Sequence, residues 1–376
     1  MRIGFDAKRL YANFTGLGNY SRTLLRNLQS VYSEHQYRLY TPAFREHAET
    51  AYFQQHEGMN TIVAQTPFSF YWRSFSLAGQ LERDLVDVYH GLSNEIPFPS
   101  GRSSVKTVVT IHDLIFKELP KTYAFFDRQI YDLKFRKSCE RADRVIAISE
   151  YTKQDIIRFY QIDPAKIEVI YQACSPVFYQ DLSKNGSDKL LSTYPLPSEY
   201  LLYVGSIIPR KNVKLVLQGL TRMEPAKRIP LVIVGSGANS AYGREVKQFI
   251  QKHHLQDLVI WITNLKDNQA LQVLYQKAQA LIYPSHYEGF GLPVTEALLS
   301  KTPVITSKAT SLPEAGGPDS MYIDPNQPDE LAQAIEQVLH DSSLREKMIQ
   351  SGYQYAWERF HPKHLSDQLM ELYQSL

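Results

Sequence analysis

A recurring order of predicted secondary-structure elements is the feature that most constrains the fold of this 376-residue chain. It consists of a short apolar strand, a loop with glycine, serine or histidine, and an amphipathic helix. Some strands are apolar on both faces, as in the Leu-Val-Ile-Val run of Leu231–Val234. Such strands are typical of parallel sheets covered by helices on both sides. Because strands alternate with helices, the sequence predicts right-handed crossovers and doubly wound α/β sheets.

Two groups of predicted strands flank a polar, turn-rich stretch at residues 177–199. Each group is large enough for an independent sheet, and the length of the chain favours two cores over one. We therefore predict two α/β domains, 1–180 and 181–355, facing each other across a cleft, and a helical segment at 341–376 with a break near 361–362. The predicted strands are Arg2–Asp6, 37–40, 86–90, 107–111 and 144–148 in the first domain and 200–204, Leu231–Val234, Val259–Ile262, Ala280–Tyr283 and 304–306 in the second.

Composition excludes several classes of function. With 41 basic and 39 acidic residues the formal charge is +2, so no electrostatic argument favours nucleic acid as a partner. The two cysteines, Cys139 and Cys174, match no metal-site spacing and favour a reducing compartment. The N-terminal residues lack the apolar core of a signal peptide, and no run approaches the roughly 20 apolar residues of a membrane span. We expect a soluble, cytoplasmic protein that at most rests on the cytoplasmic face of a membrane.

The residues that could bind a ligand or take part in a reaction follow the predicted strands. Ligands of doubly wound sheets bind beyond the carboxyl ends of the strands. If the carboxyl edges of both sheets face one cleft, these residues line it. They are Gly16 and Gly18 after the first strand, His90, His112 and Ser149 elsewhere in the first domain, and Gly205, Ser206, Gly235 and residues 285–291 in the second.

The segment 288–296 (Glu-Gly-Phe-Gly-Leu-Pro-Val-Thr-Glu) has the pattern of a phosphate-binding helix start. A helix is expected to begin near Pro293, and its N–H groups and dipole would attract a phosphate. Glu296, on the first turn, could accept hydrogen bonds from a ribose diol, while Glu288 lies nearer to a sugar beyond the diphosphate. The alternative is a glycine-containing turn followed by a glutamate that favours a helix N-terminus. The segment alone does not decide between them.

The segment 203–212 places Arg210 and Lys211 in a loop beyond a strand. Arginine binds phosphate oxygens through two donors and lysine adds a compact charge. A solvated basic loop is the alternative, but the position beyond a strand favours phosphate binding. No two aspartates are spaced one residue apart, the arrangement that holds a divalent cation in many nucleotide-sugar enzymes. We therefore expect no metal cofactor, with Arg210, Lys211 and backbone N–H groups stabilising a leaving diphosphate, although ligands from distant positions could still hold a metal ion.

His112 and His90 each have two interpretations. A lone histidine after an apolar strand is most often a hydrogen-bonded structural residue. At a cleft edge, His112 could instead contact a sugar hydroxyl or stabilise developing positive charge through its ring or backbone. The basic segment 134–144 is also ambiguous, since it is either a solvated helix face or a patch that attracts anionic lipid headgroups.

Gly235 opens a Gly-Ser-Gly turn after an apolar strand, which is the beginning of a dinucleotide fingerprint. The third glycine is absent, and Asp257 precedes its strand where the fingerprint needs an acidic residue at the strand end. The pattern therefore argues against a nicotinamide enzyme, which stays a third alternative, and favours a tight strand-to-helix turn near a nucleotide.

Taken together, these motifs resemble the family 4 glycosyltransferases, which are retaining enzymes of the GT-B fold. The resemblance extends over nearly the whole chain, and its most specific element is the pair Glu288 and Glu296 in a Glu-Gly-Phe-Gly setting. Two departures are Ser206, where many members carry an arginine, and Asn264, where a glycine is usual. The matching segments are 15–20, 111–113, 147–152, 203–212, 284–296, 311–314 and 324–325.

The resemblance implies roles for particular residues. Arg210 and Lys211 look like the diphosphate-binding pair, Glu296 like the ribose-binding residue and His112 like the residue beside the reacting sugar. A C-terminal helix, here 356–376, would cross back to the first domain. The remaining donor-binding residues would be Gly16, Gly18, Gly205, Ser206, Gly235, Glu288, Gly289, Phe290, Gly291 and Leu292, with Glu288 also assigned to catalysis together with His112, Arg210 and Lys211.

The predicted function is a retaining, metal-independent glycosyltransferase. It would move a sugar from a nucleotide-diphosphate sugar, with GDP-mannose as the suggested donor, to a hydroxyl of a glycan or lipid-linked glycan in polysaccharide or O-antigen synthesis. Acceptor choice would depend on the loops at 11–13 and 67–73. The alternatives are a sugar-nucleotide epimerase of the same fold and a non-catalytic protein that binds a nucleotide sugar.

Overall fold

The chain forms two compact α/β units in the computed structural model, which describes every residue except 45, 66–67, 69–70, 99–102, 181–193, 195 and 266. The first unit combines Met1–Ala173 with His361–Leu376, and the second is Cys174–Phe360. The chain therefore leaves the first unit once and returns to it at the C-terminal end. Most of the stretch 177–199, where the sequence predicts the domain boundary, lies outside the described residues.

A parallel sheet forms the centre of the first unit. Its strands are β1 (Arg2–Asp6), β2 (Gln36–Thr41), β3 (Met59–Val63), β4 (Val88–Gly91), β5 (Lys106–Ile111), β6 (Arg144–Ala147) and β7 (Ile167–Val169). Their order across the sheet is β3-β2-β1-β4-β5-β6-β7, and every described pairing is parallel. The chain order reverses between β1 and β4, which is the switch point where such sheets bind ligands.

The second unit repeats this topology. Its strands are β8 (Leu201–Val204), β9 (Leu231–Val234), β10 (Val259–Ile262), β11 (Ala280–Tyr283), β12 (Val304–Ser307) and β13 (Met321–Ile323). They pair in parallel in the order β10-β9-β8-β11-β12-β13. The switch point therefore lies between β8 and β11. The prediction of doubly wound parallel sheets is confirmed for both units.

Helices connect the strands and cover the sheets. In chain order they are α1 (Lys8–Ala12), α2 (Gly16–Val31), α3 (Ala48–Gln55), α4 (Leu77–Arg83), α5 (Ile115–Glu118), α6 (Phe125–Arg141), α7 (Glu150–Tyr160), α8 (Val213–Arg222), α9 (Ala241–Lys252), α10 (Asn268–Lys277), α11 (Leu292–Leu299), α12 (Leu312–Gly316), α13 (Pro328–His340), α14 (Ser342–Phe360) and α15 (Pro362–Gln374). Within the described ranges, none of these helices has the length and apolar character needed to cross a membrane.

The last helix, α15, packs into the core of the first unit. Proline tolerates only the first turn of a helix, and Pro362 opens α15 directly after α14 ends, so the predicted break near 361–362 is confirmed. The buried side chains Leu369 and Tyr373 join the core formed by β1. The Tyr373 hydroxyl lies 2.6 Å from Nδ1 of His90, whose Nε2 lies 2.7 Å from the Thr110 hydroxyl. Burial lowers the pKa of His90 to about 3, so His90 is a neutral structural residue of this core.

All ten predicted strands are present, with ends shifted by at most two residues. The sequence does not predict β3, β7 and β13. Each of these three strands lies at an edge of its sheet. An edge strand has a neighbour on one side only and is therefore less constrained to be apolar.

Candidate functional site

Glu288 is the centre of a charged cluster at the switch point of the second unit. Its Oε1 lies 2.9 Å from Nη1 of Arg210 and 3.3 Å from Nζ of Lys211. The hydroxyls of Tyr283 and Ser285 donate to the same oxygen at 2.9 and 2.8 Å. Burial would raise the pKa of Glu288, but Lys211 and Arg210 hold the pKa below its ordinary value. One carboxylate therefore faces two cations, which leaves a net positive charge for an anionic ligand.

The sheet order brings together two loops that are distant in sequence. Arg210 and Lys211 form a short 3₁₀ turn after β8, while Glu288 follows β11, the neighbour of β8 in the sheet. The carbonyl oxygen of Arg210 accepts a hydrogen bond from the His286 N–H at 2.9 Å and lies 3.2 Å from the Ser285 hydroxyl oxygen. The guanidinium of Arg210 also donates to the carbonyl oxygen of Tyr287. The predicted phosphate-binding loop and the twin-glutamate loop are thus one cluster.

The loops after β8 and β9 approach so closely that one position accepts only glycine. Gly205 and Ser206 follow β8 directly, and Gly235 follows β9. A side chain at Gly235 would overlap the carbonyl oxygen of Gly205. The Gly-Ser-Gly turn is therefore explained by this close approach of two backbones.

Helix α11 begins where the sequence predicts, within one residue. Gly291 caps the helix with a φ of 122°, a conformation that favours glycine, and Leu292 is the first helical residue. The Ser311 hydroxyl holds the preceding loop, because it lies between the carbonyl oxygens of Glu288 at 2.8 Å and Phe290 at 2.9 Å and shares its one proton between them. The ring of Phe290 is buried, so this residue offers its backbone to a ligand. Gly289 lies between them in the same loop.

Glu296 is the fifth residue of α11, which corrects its predicted position on the first turn. The Tyr275 hydroxyl donates to its Oε2 at 3.0 Å. Burial raises the pKa of Glu296 to about 7, although Tyr275 and Lys211 act in the opposite direction. Lys211 acts electrostatically on Glu288 as well as on Glu296. Lys211 therefore acts on both glutamates, but only Glu288 is stabilised in its ionised form.

His112 lies at the end of β5 in the first unit and is 5% exposed. Its Nε2 is 2.8 Å from the carbonyl oxygen of Leu92, which can only accept, so Nε2 carries the proton. Nδ1 then accepts from the side-chain amide of Gln172 at 3.2 Å. Burial lowers the pKa of His112 to about 4, so the ring is neutral near pH 7. Both ring nitrogens are occupied by protein partners, which leaves the ring edge and the backbone for a ligand.

Gly16 and Gly18 occupy the first turn of α2 but face different surroundings. The side-chain oxygen of Asn13 accepts from the N–H of Thr15 at 2.9 Å and of Gly18 at 3.1 Å, which caps the helix. A side chain at Gly18 would overlap the carbonyl oxygen of Asn13, whereas nothing lies within 4 Å of one at Gly16. Gly18 is therefore required by packing, and Gly16 leaves open space at the carboxyl edge of the sheet.

The sequence interpretation missed an ion-pair network that starts at the end of β1 in the first unit. Asp6, the last residue of β1, is 2% exposed and accepts from Arg73 at 2.7 and 3.1 Å and from the Ser93 hydroxyl at 3.2 Å. Arg73 also pairs with Glu95 at 3.2 Å, and Glu95 pairs with Lys134 at 3.3 Å. The rule that singles out residues after strands would have identified Asp6. Arg73 belongs to the predicted acceptor loop 67–73, of which 67, 69 and 70 lie outside the described residues.

The predicted site residues are divided between the two units. Gly16, Gly18 and His112 lie in the first unit, and all the others lie around the switch point of the second. The hydroxyls of Tyr275 and Tyr283, which touch the two glutamates, were missed because nothing in the sequence distinguishes them among 25 tyrosines. In the parts of the chain that the structure describes, no three His, Cys, Asp or Glu side chains are grouped closely enough to hold a metal ion.

Comparisons with known proteins match both halves of the chain to glycosyltransferase family models. The family model for Glycosyltransferase Family 4 matches residues 14–176, and the model for Glycosyl transferases group 1 matches residues 192–355. O-antigen chain mannosyltransferase B of Escherichia coli is 32% identical over 285 residues, covering 73% of this chain and 72% of that protein.

Two solved structures share the fold over the full chain. The glycosyltransferase of Rickettsia africae has a TM-score of 0.78 at 18% identity and is matched over 100% of this chain and 98% of that one. HepE of Anabaena, in complex with UDP and glucose, has a TM-score of 0.77 at 17% identity and is matched over the whole of both chains. At such low identities these structures are evidence for the fold alone.

Proposed function

Because the chain belongs to the family 4 glycosyltransferases (glycosyl transferases group 1) and is therefore a glycosyltransferase of the GT-B fold, we propose that it transfers mannose from GDP-mannose with retention of configuration. The acceptor is a hydroxyl of a glycan or lipid-linked glycan. The mannosyl donor is supported by the O-antigen mannosyltransferase that is 32% identical. Free, buried Cys139 and Cys174 support a reducing compartment, the cytoplasm, as the place of reaction.

The observation that carries this proposal is the cluster of Arg210, Lys211 and Glu288 beside the start of α11. A nucleotide sugar presents a diphosphate with a ribose on one side and the sugar on the other. Two cations and a helix start match the diphosphate. Glu296, near Lys211, matches the ribose diol, and Glu288 matches the hydroxyls of the sugar. The dinucleotide-like turn at Gly235 is explained by packing, which removes the reason to consider a nicotinamide enzyme.

We propose front-side displacement as the mechanism. The acceptor oxygen bonds to the anomeric carbon while the bond from that carbon to the phosphate oxygen breaks. The diphosphate leaves with the electron pair, and its oxygen takes the acceptor proton on the same face, so configuration is retained. No side chain has to act as a strong base. This suits His112, whose ring is neutral and already hydrogen-bonded at both nitrogens.

In this mechanism Arg210 and Lys211 supply the charge that the leaving diphosphate needs. Both cations are oriented toward Glu288 by ion pairs within the protein. A group that is already oriented needs little reorganisation when charge develops in the transition state. We therefore propose that no divalent cation is required. Addition of EDTA to a transfer assay is expected to leave the rate unchanged, and restoration of a lost rate by Mg²⁺ or Mn²⁺ would contradict this.

The function is tested with a panel of nucleotide sugars and mannose-containing acceptors, with the product analysed by NMR. We expect transfer from GDP-mannose and an α-mannoside as product. A β-linked product would refute retention, and transfer from a different donor only would refute the choice of GDP-mannose. Release of an epimerised sugar without acceptor would favour the epimerase, and donor binding without any transfer would favour a non-catalytic protein.

Donor affinity is expected to rise about tenfold between pH 6 and pH 8, because the pKa of Glu296 is about 7 in the free protein. The ribose diol donates to a carboxylate, so binding favours the ionised form and releases the proton of Glu296. Affinity is then weak below the pKa and reaches its full value above it. Calorimetric titration with an intact nucleotide sugar measures this, since such a donor has no phosphate group that titrates near neutrality.

Glu296→Gln is the control for this pH dependence. The amide has the shape of glutamate but does not ionise, so its affinity is expected to be low and constant across the range. A flat profile in the natural protein, or an unchanged slope in Glu296→Gln, would assign the titration to another group.

A further inference from the structure

The hydroxyl of Tyr283 lies between two opposite charges of the cluster around Glu288. Tyr283 is the last residue of β11 and is fully buried. Nζ of Lys211 donates to its oxygen at 2.6 Å, and the hydroxyl in turn donates to Oε1 of Glu288 at 2.9 Å. One hydroxyl thus accepts from a cation and donates to a carboxylate, and hydrogen bonds that involve a charged group are the strong ones.

Tyr283 restricts the position of the Lys211 ammonium group. A lysine side chain is flexible, and its charge has no preferred direction of contact. Nζ of Lys211 lies 3.3 Å from the Glu288 carboxylate but 2.6 Å from the Tyr283 hydroxyl. The closer partner belongs to a buried ring at the end of a central strand, so its oxygen has a fixed place. The Tyr283 hydroxyl therefore defines where the charge of Lys211 stands.

The rest of Lys211 is held from two other sides. The Tyr203 hydroxyl donates to the carbonyl oxygen of Lys211 at 3.1 Å. A Cβ atom at Gly205 would lie 3.1 Å from Cδ of Lys211, which is tighter than ordinary contact, so the glycine leaves room for the lysine stem. The backbone, the stem and the ammonium group of Lys211 are thus each fixed by a different neighbour.

We infer that Tyr283 is a positioning residue for glycosyl transfer, because it orients Lys211 toward the leaving diphosphate. This inference rests on the proposed role of Lys211 at the diphosphate. As the bond to the sugar breaks, negative charge grows on the diphosphate, and a cation that is already oriented stabilises this charge with little reorganisation. Burial raises the pKa of Tyr283 well above its ordinary value, so the hydroxyl keeps its proton and is no general base.

Tyr283→Phe tests the inference, since it removes only the hydroxyl group. We expect the turnover number for transfer to fall about 10- to 100-fold, the range for loss of a hydrogen bond to a charged group. The KM for the donor should change by less than about threefold, because a contact that strengthens in the transition state affects turnover more than binding.

Tyr200→Phe is the matched control. Tyr200 is as deeply buried in the same unit, and its hydroxyl donates to the Leu274 carbonyl oxygen at 2.8 Å, outside the cluster around Glu288. The two variants each lose one buried hydroxyl and should therefore have similar melting temperatures. Only Tyr283→Phe should lose turnover.

A double-mutant cycle with Lys211→Met separates positioning from support of the fold. If Tyr283 acts through Lys211, the Lys211→Met protein has no cation left to orient. Adding Tyr283→Phe to it should then change turnover by less than about threefold. A hydroxyl that only supports the fold would lower turnover by the same factor with and without Lys211.

Inorganic pyrophosphate makes the test independent of the donor. It carries the charge that the leaving diphosphate acquires, without a base or a sugar. In calorimetric titrations with EDTA present, we expect Tyr283→Phe to bind pyrophosphate about tenfold more weakly than the natural protein, again as for a lost hydrogen bond to a charged group. Tyr200→Phe should bind it as the natural protein does.

The outcomes distinguish this inference from the proposed function. Turnover in Tyr283→Phe within about threefold of the natural protein, or equal losses with and without Lys211, would overturn the role of Tyr283 while leaving the diphosphate site in place. A natural protein that does not bind pyrophosphate would instead refute the diphosphate site itself, and the role of Tyr283 with it.

Discussion

Replacing Arg210 with alanine is expected to lower the turnover number for glycosyl transfer by about 100- to 1,000-fold, the usual effect of removing one oriented donor to a developing negative charge. Arg210 lies 2.9 Å from the Glu288 carboxylate and is fixed by its contact with the Tyr287 carbonyl oxygen. The guanidinium is thus held in one orientation by contacts within the protein. Steady-state kinetics with the donor identified in the panel measure the change.

Two further variants make this test specific. Arg210→Lys keeps the charge but loses the planar pair of donors, so an intermediate rate is expected. Arg222→Ala removes an exposed arginine of the same unit, which pairs with Asp329 at 3.3 Å, and should leave the rate unchanged. Turnover in Arg210→Ala within about threefold of the natural enzyme would remove Arg210 from the mechanism, since a threefold change is far below the effect of a lost donor.

The strands that the sequence predicts and those that it misses differ in their position in the sheet. A central strand such as β9 is buried on both faces and reads Leu-Val-Ile-Val. The edge strands β3 and β7 read Met-Asn-Thr-Ile-Val and Ile-Glu-Val and leave part of their residues exposed. Because an edge strand has a partner strand on one side and solvent on the other, its side chains need not all be apolar. Periodicity therefore identifies the interior of a parallel sheet better than its edges.

The site residues that come directly after a strand could be predicted from the sequence. Arg210 and Glu288 are far apart in the chain, yet β8 and β11 are neighbours and place them 2.9 Å apart. Their partners were not predictable. The hydroxyl of Tyr283 reaches Glu288 because a strand end points it there, and that of Tyr275 reaches Glu296 from helix α10. Such contacts depend on side-chain directions that only the folded chain defines.

The difference between Gly16 and Gly18 is of the same kind. Both glycines belong to one short segment, and the family resemblance assigns both to the donor loop. The structure separates them, because a side chain at Gly18 would overlap the Asn13 carbonyl oxygen while the space around Gly16 is empty. One glycine is needed to fold the loop, and the other leaves room that a ligand could use.

Gly18→Ala is therefore expected to lower the free energy of unfolding of the first unit by about 1–3 kcal/mol, the range for forcing an atom into a packed region. The Asn13 oxygen belongs to the backbone and cannot rotate away, so the helix start and its cap must shift together. Urea unfolding followed by circular dichroism measures the change, and the melting temperature should fall by about 2–4 °C per kcal/mol.

Gly16→Ala is the matched substitution for this stability test. Its methyl group meets no atom within 4 Å, and alanine is the better helix former, so stability should stay within about 0.5 kcal/mol of the natural protein or rise slightly. If Gly16 leaves room for the donor, the same variant should nevertheless weaken donor binding, because the methyl group would occupy that space. Equal unfolding free energies for Gly16→Ala and Gly18→Ala would show that the loop adapts to a side chain at either position, and the distinct roles inferred for the two glycines would then be wrong.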